Sequence, residues 1–194
     1  MVKLKGIISI LFVVLCLSCD SIYENPEVVY LIQAGKHSSN VQGSLPSNGL
    51  RSLKSEALVF TARFDESAVY DLKGNDQDDV NKLFGFSDCN SKHQDNSARF
   101  GWSYNLATKQ VDISAYVYVS GKREIIHLGS TEIHESNTYK LSLVGDEFKF
   151  EFKNSIERVA RGSSCDVGLY YLLFPYFGGN QKAPHDIRIF INEM

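Results

Sequence analysis

The stretch Gln110-Val-Asp-Ile-Ser-Ala-Tyr-Val-Tyr-Val119 carries two faces. Val111, Ile113, Ala115, Val117 and Val119 alternate with Asp112, Ser114, Tyr116 and Tyr118. A period of two belongs to a β-strand, whose successive side chains point to opposite sides. One face is therefore apolar and core-directed, while the other is polar and aromatic together. The same period recurs on either side. Leu58, Phe60, Ala62 and Phe64 alternate with Val59, Thr61 and Arg63. Tyr139, Leu141 and Leu143 lead into Val144-Gly145-Asp146, after which Phe148, Phe150 and Phe152 alternate with Lys149 and Glu151. Ile187, Ile189 and Ile191 close the chain. Ser120-Gly121-Lys122 and Val144-Gly145-Asp146 sit where hairpin turns belong. Only Asp76 to Leu83 suggests a short helix. Many short strands with no helices between them predict an all-β sandwich or jelly roll.

The 194 residues are 43% hydrophobic, 12% aromatic and 22% charged, with four Pro and 14 Gly. These proportions exclude a disordered tail, a collagen-like fibre and a coiled coil, and they fit one domain. With 20 Lys and Arg against 23 Asp and Glu, the net charge is −3. That balance offers no general electrostatic case for nucleic acid. No internal repeat is apparent.

Residues 1–18 read as a leader outside the fold. Lys3 and Lys5 form a basic start, and Ile7 to Leu17 is an apolar run too short to span a bilayer. It ends in Leu17-Ser18-Cys19, which resembles the lipobox of bacterial lipoproteins, with Cys16 where that family usually has Leu. The resemblance implies cleavage before Cys19, lipidation of Cys19, and an anchor in the cell envelope, in the outer membrane. Residues 19–55, rich in Ser, Gly and Asn from Gly35 on, are expected to be a tether or long surface loop, although Val28 to Ile32 also suits a first strand. Residues 56–194 are expected to form the β-sandwich domain. Two cysteines, Cys89 and Cys165, remain for an oxidising compartment. They allow one disulfide, with two separate buried thiols as the alternative. No metal-ligand spacing appears, and no cofactor is expected.

Tyr139-Lys-Leu-Ser-Leu-Val-Gly-Asp-Glu-Phe-Lys-Phe-Glu-Phe152 resembles paired strands of concanavalin A-like jelly rolls. Phe174-Pro-Tyr-Phe-Gly-Gly-Asn-Gln-Lys-Ala-Pro-His-Asp-Ile-Arg-Ile-Phe-Ile191 is similar to the last strands of some polysaccharide lyases and lectin-like domains of that fold. With Leu83-Phe-Gly-Phe-Ser-Asp-Cys89 and Asn96-Ser-Ala-Arg-Phe-Gly-Trp102, the chain also resembles bacterial envelope lipoproteins. The resemblance implies the fold and leaves the activity open, because this fold hosts lectins, hydrolases, lyases and adhesion modules.

Candidate chemistry gathers in two places. In Ser87 to Trp102, alternation puts Arg99, Gly101 and Ser103 on one face and Phe100, Trp102 and Tyr104 on the other. A ligand-binding reading uses His93 as acid or base, Asn96 and Arg99 for hydroxyls or carboxylates, and Trp102 or Tyr104 as a stacking platform. The plainer reading is a solvated loop running into a core strand. Beside it, the face of Asp112, Tyr116 and Tyr118 offers outward-pointing rings among hydrogen-bonding groups, a combination that suits sugars. Its plain alternative is a cross-strand tyrosine ladder. His185 and Asp186 are expected to fix a strand entry. The acidic run Asp71, Asn75, Asp76, Asp78 and Asp79 lacks EF-hand spacing and reads as a solvated turn. The expected function is a lectin-like carbohydrate-binding module. The alternatives are a polysaccharide lyase using His93, Arg99, Tyr116 and Tyr118, and a structural envelope lipoprotein. A glycoside hydrolase ranks last, because no strand carries the paired acidic residues it needs.

Overall fold

The computed structural model describes residues 26–43, 51–162 and 168–194. The leader over 1–18, the lipidation site Cys19 and Cys165 lie outside the described residues. The strands are β1 (Val28–Ile32), β2 (Ser39–Val41), β3 (Ala57–Phe64), β4 (Asn81–Ser87), β5 (Ser97–Asn105), β6 (Gln110–Val119), β7 (Lys122–Thr131), β8 (Asn137–Val144), β9 (Glu147–Phe152), β10 (Ser155–Ala160), β11 (Leu172–Leu173) and β12 (Ile187–Glu193). They form a seven-stranded sheet, ordered β10-β9-β8-β3-β12-β1-β2, and a five-stranded sheet, ordered β11-β4-β5-β6-β7.

The alternation in the sequence decides which face of each strand is buried. Phe60, Phe64, Phe148, Phe150, Ile187 and Ile189 of the larger sheet are fully buried, as are Phe100, Trp102, Val111, Ile113 and Val117 of the smaller one. The two inner faces meet through aromatic rings. Phe100 packs edge-on against Phe60, Tyr139 and Phe150 at 5.9, 5.1 and 5.2 Å, and Phe64 lies 5.2 Å from Trp102. Each such ring contributes about 1.5–3 kcal/mol by leaving water. Truncating Phe100 to Ala would cost roughly 3–5 kcal/mol, because a cavity between the sheets adds to that loss. Ser120 and Gly121 have φ of 49° and 76° and close the β6–β7 hairpin; positive φ at both central positions matches the right-handed twist of paired strands.

Two expectations need correction. Residues 19–55 are not a tether throughout, since β1 pairs with β12 and β2 pairs with β1 inside the larger sheet. Tyr30 and Ile32 of β1 are buried in the core, and that burial holds the segment in the sheet. Asp76 to Leu83 is not a helix: a single 3-10 turn spans Asn75–Asp78, and the chain is extended from Asn81. The apolar run Leu83-Phe84 supplies strand residues to the core, and tertiary burial overrides the weak helical pattern.

One irregularity shapes the outer face of the smaller sheet. Lys82 pairs with Gly101 and Gly85 pairs with Arg99, so β4 advances three residues where β5 advances two. This bulge turns Leu83 and Phe84 both inward and leaves Lys82 and Gly85 on the outer face. A Cβ on Gly85 would stand 2.2 Å from the Ala98 carbonyl oxygen and 2.5 Å from Arg99 Cα. Only glycine permits that approach.

Candidate functional site

A groove of about 540 Å³ opens on the outer face of the five-stranded sheet. Register places its floor. Arg99 of β5 stands opposite Tyr116 of β6, and Tyr118 of β6 stands between Ser97 and Arg123 of β7. Lys82 of β4 completes the floor. One wall is β11 and the chain after it, from Leu172 to Tyr176 and on to Gly178 and Gly179, with Ser38 and Ser39 beside it. Isolated bridges from Tyr176 to both Lys82 and Ser38 fix this wall. The opposite rim carries His93 and Gln94 from the β4–β5 loop.

His93, Arg99, Tyr116 and Tyr118 therefore share one groove, whereas Asn96 and Asp112 do not line it. Asn96 accepts a hydrogen bond from the Ser120 amide at 2.8 Å and donates to Ser91 Oγ at 3.2 Å. It ties the loop that carries His93 to the β6–β7 turn, a framework role in place of the expected ligand contact. Asp112 accepts from Ser130 Oγ and Asn105 Nδ2 at 2.6 and 2.9 Å and borders a separate cavity of about 280 Å³. The two regions are divided where Val80 packs over Gly101, whose added Cβ would meet Val80 Cγ1 at 2.4 Å. The expectation of two exposed rings also needs correction. Tyr116 is only 2% exposed, with the Lys82 ammonium 4.8 Å above its ring, and Tyr118 is half-buried beside it. Long cationic side chains lying over an aromatic face cover it while gaining from its quadrupole.

The groove's electrostatics are one-sided. Among the described residues Lys82, His93, Arg99 and Arg123 line it and neither Asp nor Glu does, although Asp79, outside that lining, acts on Lys82. Arg99 is 7% exposed, forms no ion pair with a carboxylate among the described residues, and leaves its buried Nε without a hydrogen-bond partner. Buried charges are ordinarily paired, because an isolated one sacrifices hydration without return. Burial lowers the Arg99 pKa to about 10, so the guanidinium stays protonated at neutral pH. Burial, reinforced by the Arg99 charge, lowers Lys82 to about 8. His93 is lowered by partial desolvation and then by Arg99. Burial raises Tyr116, with Tyr118 adding to the rise and Arg123 opposing it.

Sequence reading missed Lys82, Arg123 and Tyr176. Lys82 shares its residue parity with the core side chains Phe84 and Phe86, and only the bulge sends it to the other face. Arg123 is one of many exposed strand charges, and Tyr176 belongs to a wall whose regular strand is two residues long. His185 and Asp186 do serve the framework: His185 Nε2 pairs with the Ser67 carbonyl at 2.8 Å, and Asp186 accepts from the Ala34 amide at 2.8 Å. Cys89 is buried and disulfide-bonded; Cys165, its expected partner, is outside the described residues.

No protein-family model matches the chain, and the comparison with curated proteins finds no match either. Among solved structures it is similar to alginate lyase vAL-1 from Chlorella virus, at 14% identity and a TM-score of 0.50, over 86% of this chain and 82% of that one. It is also similar to alginate lyase AlyC3, at 11% identity and a TM-score of 0.51, over 84% of this chain and 71% of that one. At such identities the likeness concerns architecture: the chain is a jelly-roll β-sandwich.

Proposed function

We propose that the groove binds an acidic polysaccharide by its uronate carboxylates and cleaves it by β-elimination. The observation that carries this reading is Arg99, a buried cation with no carboxylate partner among the described residues, flanked by Lys82 and Arg123 in a groove that none of the described acids lines. A neutral sugar would leave those charges uncompensated. A hydrolase of this fold would need two carboxyl groups in the groove, and none of the described residues supplies one to its lining. The fold shared with two alginate lyases agrees with the proposal without carrying it.

The chemistry asks for three roles. Arg99 and Lys82 hold the uronate carboxylate and stabilise the charge that grows on it as the C5 proton departs. His93, its pKa lowered so that the imidazole is neutral at pH 7, takes that proton. The C5–H electron pair becomes the C4–C5 double bond, the C4–O4 bond breaks, and the Tyr118 phenol donates its proton to the departing oxygen. Proton exchange with solvent then restores both groups. Cys19 would tether this activity to the cell envelope through its lipid.

Incubation with polygalacturonate, alginate or hyaluronan, followed by ultraviolet absorbance of unsaturated ends, tests the reading. Product should form on at least one polyuronate and on no neutral glucan, and His93→Ala should abolish it. Binding without any such product would leave a non-catalytic glycan module and overturn the lyase assignment.

A further inference from the structure

Burial draws the pKa of the Lys82 ammonium down to about 8, and the structure supplies a support for it. Its ammonium donates to the Gly178 carbonyl oxygen at 2.7 Å. Gly178 lies in the groove wall with φ of 71°, and a Cβ there would meet the Gln181 carbonyl oxygen at 2.1 Å, so a turn of this shape needs glycine. The Gly178 amide in turn donates to Asn81 Oδ1 at 2.5 Å. Asn81 is 1% exposed, and its Nδ2 donates to the Tyr70 hydroxyl at 2.9 Å. That hydroxyl also accepts from the Tyr104 amide at 3.2 Å, on β5. The chain of bonds thus begins on β5, passes through two buried side chains, and ends on the carbonyl that holds the ammonium.

We infer that Asn81 is a positioning residue for Lys82: by clamping the Gly178 turn from inside the sandwich, it aims the Gly178 carbonyl at the ammonium and keeps the charge over the groove floor. The inference rests on the groove being an anion site, but its effect is visible without a saccharide. The side-chain amide is used at both ends, so no apolar residue of similar size replaces it. A carbonyl dipole pointed at an ammonium favours its charged form. The other groups facing Lys82 are Arg99 on β5, Tyr116 on β6, Arg123 on β7, Tyr176 on the wall, His93 on the rim and Asp79 ahead of β4. Arg99, Tyr116 and Arg123 are placed by the β5–β6–β7 ladder, whereas Asp79 accepts from the Asn180 amide at 3.5 Å and so bonds to the same turn.

The test is an NMR titration of the whole domain labelled with 13C at lysine Cε, with the Lys82 signal assigned from Lys82→Met and no saccharide present. Asn81→Leu should move the Lys82 midpoint further below its wild-type value, and Asn81→Ser should do the same if the leucine variant fails to fold. Tyr70→Phe, which leaves Asn81 in place but removes its anchor, should give a smaller shift in the same direction. A Lys82 midpoint that stays put or rises in these folded variants would overturn the positioning role. Failure of the protein to bind any polyuronate would overturn the proposed function alone and leave this readout intact.

Discussion

Arg99 and Tyr116 face each other across adjacent strands, with the guanidinium carbon 5.9 Å from the ring centroid and no carboxylate between them. A cation held against an aromatic ring retains part of the stabilisation it lost with water, yet a cation–π contact of this kind contributes about 1–2 kcal/mol against a larger desolvation penalty. The site is therefore paid for by the surrounding core.

Arg99→Met removes the charge and keeps an unbranched, shorter side chain. Because no ion pair is broken, the variant should melt at or above the wild-type temperature, as replacement of buried charge by an apolar side chain often does. A thermal scan checks this. A marked loss of stability would show that Arg99 is structural.

Activity should trace a bell against pH. It rises with pH as His93 loses its proton, below the ordinary histidine value of 6.5, and falls above about 8 as Lys82 loses its charge. Stability should move the other way over the upper limb. Lys82 titrates near 8 when folded and at 10.5 when unfolded, so the unfolded state binds more protons between those values and stability rises with pH there. Lys82→Met should remove both effects; denaturant titrations at pH 7.5 and 9.5 measure the second.

Much of the sandwich could be read from alternation, because a strand half in a core must repeat every two residues. Phe148, Phe150 and Phe152 announce their burial in this way, and Gly145 announces the turn before them. The groove was legible only in part. Arg99, Tyr116 and Tyr118 fall on the outer face by simple parity, and His93 by loop proximity. Lys82 does not, since one inserted residue reverses the parity of β4. Asn96 and Asp112 looked like ligand groups because polar residues near a polar face look alike until their partners are known.

Gly85→Ala should disrupt that bulge. The added methyl meets the Ala98 carbonyl and the Arg99 backbone well inside contact distance, and overpacking of this kind costs about 1–3 kcal/mol. Chemical denaturation gives the loss, and binding should fall with it because Arg99 is displaced. Wild-type stability and binding in this variant would argue against the tight β4–β5 approach.

Cys19→Ala should leave an uncleaved or soluble form. Membrane fractionation with mass analysis of the N-terminal peptide decides it: an acyl mass on wild-type Cys19 supports the anchor, and unchanged fractionation of the variant removes it.

The central claim is that the groove recognises a carboxylate through Arg99. Calorimetric titration of an oligogalacturonate or oligoalginate into His93→Ala protein, which binds without turnover, tests it most directly when repeated on the His93→Ala, Arg99→Met double variant. A charge-assisted hydrogen bond of about 1.5–3 kcal/mol predicts roughly 10- to 150-fold weaker binding in the double variant. Equal affinity in the two proteins, or equal affinity of the parent for a neutral oligosaccharide of the same length, would contradict the account.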